Sequence, residues 1–535
     1  MLESGAIVSL EGRKDAPLPS ATSKTTLEPT AKLPVRIAAL DVGSNAIRLS
    51  VAEFAAADRY EVLLSERAPV RLGHDVFISG RLTDGAMDAA VAAIAGFAES
   101  IERLHADAVR AVATSAVRES ANGEAFVKRV KAKAGIKLET ISGVEEVRLV
   151  HAAVRRRVAM GGERWLLADL GGGSVEVSLA DANGILWSES HTIGSVRLLE
   201  ELTQAGEEPG RFAELLAEYV RALRLPLAAA QRGIAGFIAT GGNIEALARL
   251  ALPEASGEAT VKLPLERLAG IVKTLSRLSF KERIEKLGLR EDRADVILPA
   301  ALVYQRLCEL AGCSEIVVPF VGLREGVMLD LADELVARGE HHTRRERETL
   351  DAAVALGRHY LFDEAHCVHV ARLAGSLFDQ LHAVHRLDDN ARRLLLSAAV
   401  LHDIGQFVSY KRHHKHSLYL IANSELPGFS EREMVLIANV ARYHRKGEPS
   451  ADHDEFAELD AGERELVAKL GSILRLADAL DREHQERVQQ VQAHVEGHDL
   501  VLHLEGGGEL LLEHWALKKK TEFFTNVFKL KVRVA

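Results

Sequence analysis

Cysteine is scarce. Three residues in 535, Cys308, Cys313 and Cys367, cannot form a disulfide framework, which fits a reducing compartment, and the cytoplasm is the expected location. No apolar run approaches the ~20 residues that span a bilayer, so no membrane partner is expected. A basic excess is missing too. Lys and Arg number 67 against 77 Asp and Glu, a net charge of −10, which argues against general nucleic-acid binding, although local basic patches can hold an anion. The first 33 residues lack the apolar core of a signal peptide, and Met1 to Leu33 reads as a mobile tail. The remaining composition, 47% hydrophobic and 27% charged, is that of a globular chain with room for three or four domains at ~150 residues each.

Histidine is distributed unevenly, with 18 of 22 after residue 340. The change of domain is expected in the charged stretch from Arg338 to Glu346, where few core contacts form.

Before that point one pattern occurs twice. Ile37-Ala-Ala-Leu40 leads into Asp41-Val-Gly43-Ser44-Asn45, and Ile47, Leu49 and Val51 then alternate with Arg48, Ser50 and Ala52. Trp165-Leu-Leu167 leads into Asp169-Leu-Gly171-Gly172-Gly173-Ser174, followed by Val175, Val177 and Leu179 alternating with Glu176 and Ser178. Each reads as strand, Asp-x-Gly turn, strand, a duplication suggesting two related halves. A single such turn is more often a glycine hairpin with a capping Asp. Two in matching context point to phosphate, because glycine brings peptide N–H groups close to an anion while the Asp can hold a metal beside it. No G-K-[ST] occurs and a strand follows each turn, which excludes a P-loop and a dinucleotide fingerprint. A third glycine site, Thr240-Gly241-Gly242-Asn243, opens an apolar helical pattern, with Asn243 as a possible cap.

These three motifs resemble the phosphate and third glycine motifs of the actin/sugar-kinase/heat-shock ATPase superfamily. Ala113-Thr-Ser-Ala-Val-Arg118, Ile141-Ser-Gly-Val-Glu-Glu-Val-Arg148 and Arg293-Ala-Asp-Val-Ile-Leu-Pro299 are closer to the exopolyphosphatase/guanosine pentaphosphate phosphatase family. So is Gly322-Leu-Arg-Glu-Gly326, although Pro319-Phe320 stands where that family usually has Ser-Asp. The resemblance implies two RNase-H-like α/β domains, residues 34–149 and 150–335, around a catalytic cleft. Phosphoanhydride hydrolysis needs a clamped phosphoryl group, an offsetting cation and a water aimed in line. Gly43, Ser44, Asn45, Gly171, Gly172, Gly173, Ser174, Gly241 and Gly242 supply the clamp in this reading, and Arg118 forks two phosphate oxygens. On the residues alone, Glu145-Glu146 followed by Arg148 reads as a solvated helix face. The motif match assigns Glu146 as the base that activates water. Asp169 and Glu176, with Asp41 through water, are expected to hold Mg²⁺.

Beyond Leu350, apolar residues fall at helical spacing to about Glu483, and an all-α domain is expected over 345–483. His366, His402, Asp403 and Asp478 are candidate ligands for one metal, with His416 and His444 available for a second. Their order resembles the HD metal-dependent phosphohydrolase superfamily, and the long form of the exopolyphosphatase family carries such a domain. Imidazole with carboxylate suits Mn, Fe or Zn. Basic runs at Lys411–His416 and Arg442–Lys446 read as a charged face or as the far part of a polyanion channel. Residues 484–535 are expected to form a small α+β domain. The implied activity is release of orthophosphate from inorganic polyphosphate by a homodimer. Guanosine pentaphosphate is the alternative substrate, and an HD nucleotide phosphohydrolase with the front half as sensor is the rival.

Overall fold

The computed structural model describes residues 33–204, 209–224, 233–255, 257–336, 338–445 and 447–535. The expected tail, Leu33 apart, lies outside them, as does Lys446. There are two compact units. One holds the described residues up to His359 with Tyr419–Leu436, and the other holds Tyr360–Leu418 with Ile437–Ala535.

The first unit contains two mixed sheets. β1 (Val35–Val42), β2 (Ile47–Ala56), β3 (Arg59–Ala68), β4 (Ala108–Ala113) and β5 (Leu138–Thr140) pair in the order β3-β2-β1-β4-β5. β6 (Arg164–Leu170), β7 (Val175–Ala180), β8 (Ile185–His191), β9 (Ile234–Thr240), β10 (Val261–Pro264) and β11 (Glu315–Val318) pair in the order β10-β11-β9-β6-β7-β8. Read from β8, the second order repeats the first, with β10 added at the edge. Each sheet opens with an antiparallel hairpin whose first strand also pairs in parallel, β1 with β4 and β6 with β9. The duplication seen in two turns therefore extends to both sheets.

Central strands read as apolar runs because both of their faces are covered. Ile37 and Leu40 are fully buried, and every residue of β7 is buried. Truncating such an Ile to Ala costs about 2–5 kcal/mol.

Four helices of this unit matter for the site: α1 (Gly143–Val154), α2 (Gly242–Ala251), α3 (Leu323–Val336) and α4 (Arg338–His359). The boundary expected at 149/150 falls inside α1. Helix α3, expected with the second half, packs on α1 and β1, where Val327, Met328 and Leu329 share a core with Ile37, Val112 and Leu149. A Cβ on Gly326 would lie 2.0 Å from the Leu149 carbonyl oxygen. Glycine is what lets α3 and α1 touch there.

The break expected at 338–346 is helical instead, and the units divide after His359. Charge alone does not end a helix. Arg344–Glu348 and Arg347–Asp351 are i,i+4 pairs along α4, and Glu346 and Thr349 are buried.

The second unit is built on α5 (Glu364–Gln380), α6 (Asp389–Leu401), α9 (Ala461–Ala479) and parts of α7 (His413–Ala422) and α8 (Glu431–Arg442). Asp363 caps α5, accepting from the His366 N–H at 3.3 Å, which places His366 in the first turn. Residues 484–535 hold β12 (Val488–Glu496), β13 (Asp499–Gly506), α10 (Leu511–Phe528) and β14 (Lys531–Val534). They fold onto the helices, α10 against α9 and β12 against α5, so the small domain expected over 484–535 belongs to the same compact unit as the helices.

Candidate functional site

The two Asp-x-Gly turns close in the same way. The Gly43 N–H donates to the Ala46 carbonyl at 3.2 Å and the Gly171 N–H to the Ser174 carbonyl at 3.0 Å. Across the first hairpin Asp41 faces Arg48, and across the second Asp169 faces Glu176. The turns then meet. A Cβ on Gly172 would sit 2.8 Å from Ser44 Cβ, so an alanine there would push them apart. Gly241, at φ +100°, starts α2 in a conformation that favours glycine. The cap is Gly241 rather than Asn243, whose amide donates to Ser195 Oγ at 3.2 Å. A Cβ on Gly242 would lie 2.6 Å from Arg293 Nη2 and 2.9 Å from Arg48 Nη2. Its absence leaves room for two guanidinium groups.

Asp41, Gly43, Ser44, Asn45, Glu146 and Asp169 line one cleft, together with Gly171, Gly172, Gly241 and Gly242. Four expected residues stand behind its wall. Gly173 packs, since a Cβ there would come within 2.3 Å of the Phe77 ring. The Ser174 hydroxyl donates to Glu176 Oε1 at 2.6 Å. Arg118 donates to the Ile141 carbonyl at 2.6 Å and to Glu146 Oε1 at 2.7 Å, so it holds the expected base instead of standing free. Glu176 also accepts from Ser190 at 3.1 Å, and its Oε2 is buried without a partner. Arg48, Arg293 and Arg324 line the cleft and had been given no role. Arg48 had a signal, its position opposite Asp41 in the hairpin, and Arg293 heads one of the quoted motifs.

The Glu145-Glu146-Arg148 run is not a solvated face. All three are 6% exposed. Ser142 caps α1, accepting from the Glu145 N–H at 3.3 Å. Glu145 then turns into an ion network: it accepts from Arg148 at 2.8 Å and from the Gly428 N–H at 3.0 Å, and Arg148 also donates to Asp330 at 2.8 Å. Glu146 alone is directed to the cleft.

Burial and the neighbouring Glu176 push the Glu146 carboxyl well above its usual range, against the pull of Arg118. Burial raises Asp169 to about 6, opposed by a hydrogen bond from Thr240 and assisted by Asp41. Burial likewise raises Glu176 to about 7, and it raises Asp41. The half-buried Asp41 and Asp169 with the buried Glu176, one of whose oxygens is orphaned, are a hard-oxygen donor set of the kind Mg²⁺ takes.

These groups bind their protons more tightly in the folded chain than in the unfolded one. As pH rises from the unfolded value through the folded value, stability is therefore lost. For Glu176, moving from 4.5 to about 7, the loss above pH 7 is on the order of 3 kcal/mol. Glu176→Gln is expected to melt above wild type at pH 8 in chelator, with the gap closing toward pH 4.5. Thermal melts at both pH values check this, and an equal gap at both would count against a buried charge.

In the helical unit, His366, His402 and Asp478 form one buried group of possible ligands, and Asp403, His413 and His444 form another. His416, expected as a ligand, is only half-buried and belongs to neither group. It lies three residues along α7 from His413, and His413, which begins that helix, takes its place. Burial lowers the His444 imidazole to about 3. Burial opposes ionisation of Asp403, but His402 and the His413 hydrogen bond hold its carboxyl well below the usual range.

Residues 50–335 match the family model described as Ppx/GppA phosphatase family, and residues 349–521 the one described as Ppx/GppA phosphatase, domain III. The guanosine-5'-triphosphate,3'-diphosphate pyrophosphatase of Photobacterium profundum is 25% identical over 454 residues, 84% of this chain and 88% of that protein. The protein of that name from Pseudoalteromonas translucida is 27% identical over 411 residues, 76% of this chain and 80% of its own. Among solved structures, an exopolyphosphatase from Cytophaga hutchinsonii is 27% identical with a TM-score of 0.52, covering 56% of this chain and 98% of that one. Among the described residues no helix is long and apolar enough to cross a membrane.

Proposed function

We propose, from the premise that the chain belongs to the Ppx/GppA phosphatase family, whose members hydrolyse phosphoanhydride bonds, that the cleft around Glu146 and Asp169 is an exopolyphosphatase centre. It releases terminal orthophosphate from inorganic polyphosphate. The observation that carries this reading is the meeting of two glycine turns from two sheets beside a buried carboxylate and three arginines.

The turns and Arg48, Arg293 and Arg324 bind and orient the terminal phosphoryl group. Glu146, steadied by Arg118, takes a proton from water. The water oxygen bonds to phosphorus, the terminal anhydride P–O bond breaks, and the shortened chain leaves as an anion. A base whose proton affinity is raised above that of an ordinary carboxylate by burial suits that task. Asp41, Asp169 and Glu176 would hold Mg²⁺, which when bound offsets charge on the phosphate oxygens.

Hydrolysis of guanosine pentaphosphate is the second reading, favoured by the names of the curated relatives. Against it, no aromatic ring lines the cleft among the described residues, so nothing there offers a face on which guanine stacks. Orthophosphate release from long polyphosphate is expected to show the higher kcat/KM when both substrates are assayed side by side. A preference for the guanosine compound would move the assignment to the second reading.

A further inference from the structure

We propose that Thr240 and Tyr304 are positioning residues of the phosphoanhydride site, which together lock the Asp169 carboxylate in one orientation for a cation. The inference rests on the reading of Asp169 as a metal ligand given above. Neither residue lines the cleft.

The lock begins where two strands part. β6 and β9 run parallel, and Asp169 opposite Thr240 is the last step of their ladder. From there β6 enters the turn at Gly171 and β9 passes through Gly241 into α2. The Thr240 hydroxyl stands 2.6 Å from Asp169 Oδ1 and 3.4 Å from the Ala168 carbonyl. A hydroxyl has one proton to give, and the short contact to a carboxylate takes it as a charge-assisted bond. The carboxylate torsion is otherwise broad. With Oδ1 engaged the torsion is set, and among the described residues no hydrogen bond reaches Oδ2.

Thr240 is itself held from behind. Tyr304, fully buried on the helix Ile297–Ala311, donates its phenol to the Thr240 carbonyl at 2.6 Å. A Cβ on Gly241 would lie 3.2 Å from the Tyr304 oxygen, 2.9 Å from the Leu170 carbonyl oxygen and 3.4 Å from Asp169 Oδ1. The third glycine motif therefore closes around the carboxylate as well as facing the cleft. Packing alone does not ask for tyrosine at 304. A buried hydroxyl costs about 1–3 kcal/mol when unbonded, and phenylalanine fills the same space without it.

The duplicated half provides an internal comparison. Asp41 holds the place of Asp169 in the first hairpin, and it stands opposite Val112 where Asp169 stands opposite Thr240. Valine has the shape of threonine without the hydroxyl, and among the described residues no hydrogen bond reaches the Asp41 carboxylate. Two matching turns thus differ in whether their aspartate is locked. A carboxylate ordered beforehand loses less freedom when it takes an ion, which raises affinity. The unlocked Asp41 suits contact through water.

The test uses the full chain with Mn²⁺ as probe, and electron paramagnetic resonance counts the ion that Asp169→Asn fails to bind. Thr240→Val keeps the side-chain volume and removes the hydroxyl. It is expected to weaken binding of that ion roughly 10–100-fold, whereas Thr240→Ser, which keeps a hydroxyl, stays within about twofold of wild type. Tyr304→Phe is expected to weaken it roughly 10-fold. In orthophosphate release the half-saturating Mg²⁺ concentration should rise in step, with kcat at saturating Mg²⁺ held within about threefold, because neither residue touches the reacting atoms. Lowered melting temperatures with unchanged Mn²⁺ affinity in Thr240→Val and Tyr304→Phe would assign both to packing and overturn the proposal. Equal weakening by Thr240→Ser and Thr240→Val would also overturn it. If Asp169→Asn loses the ion while Thr240→Val keeps it at wild-type affinity, the proposal alone falls. If Asp169→Asn binds as many ions as wild type, the reading of Asp169 falls and takes the proposal with it.

Discussion

Glu146→Gln is expected to lower kcat for orthophosphate release roughly 10²–10⁴-fold, with KM nearly unchanged and the chain still folded. The amide keeps the shape of the carboxyl and still accepts from Arg118, but it cannot take a proton from water. KM is spared because the glycine turns and arginines, not Glu146, hold the substrate's charge. Glu145→Gln provides the contrast. Its carboxylate anchors Arg148 and the Gly428 N–H in a buried network, and removing one partner of such a network costs about 3–5 kcal/mol. Steady-state kinetics with circular-dichroism melts distinguishes the two: Glu146→Gln shows as lost kcat, Glu145→Gln as a lowered melting temperature. Wild-type turnover by Glu146→Gln would remove the base from Glu146 and leave family membership standing.

The second large effect is expected at Asp169. Asp169→Asn keeps the 2.6 Å hydrogen bond from Thr240 and removes only the charge. Loss of the metal's charge stabilisation is worth several kcal/mol, so kcat/KM is expected to fall at least ~10²-fold, and added Mg²⁺ should restore little of it. A Mg²⁺ titration of activity checks the assignment. An unchanged half-saturation concentration would show that Asp169 holds no metal. The proton on wild-type Asp169, held to about 6, adds a sign. Mg²⁺ competes with that proton, so the half-saturation concentration is expected to rise as pH drops below 6.

Much of the cleft was legible beforehand because its chemistry sits in short turns. Gly43–Asn45 and Gly171–Gly172 occupy hairpin loops whose shape depends on a few adjacent residues. Gly173 was misread for a related reason. Within one turn, sequence does not say which glycine faces phosphate and which one makes room for the Phe77 ring. Arg118 shows the same limit, since its partner Glu146 is 28 residues away.

The sequence by itself determined the duplicated hairpins, the helix starting at Gly242 and the presence of a histidine-rich helical unit. Each follows from periodicity, glycine tolerance or composition, which are local properties of the chain. The tertiary structure decided that Glu146 faces the cleft while Glu145 faces Arg148, that His413 replaces His416, and that Arg48 and Arg293 converge on Gly242. It also decided that α3 returns to the first sheet. Every one of these depends on contacts between residues distant in sequence. Burial and charge at such contacts are set by packing, which no local pattern encodes.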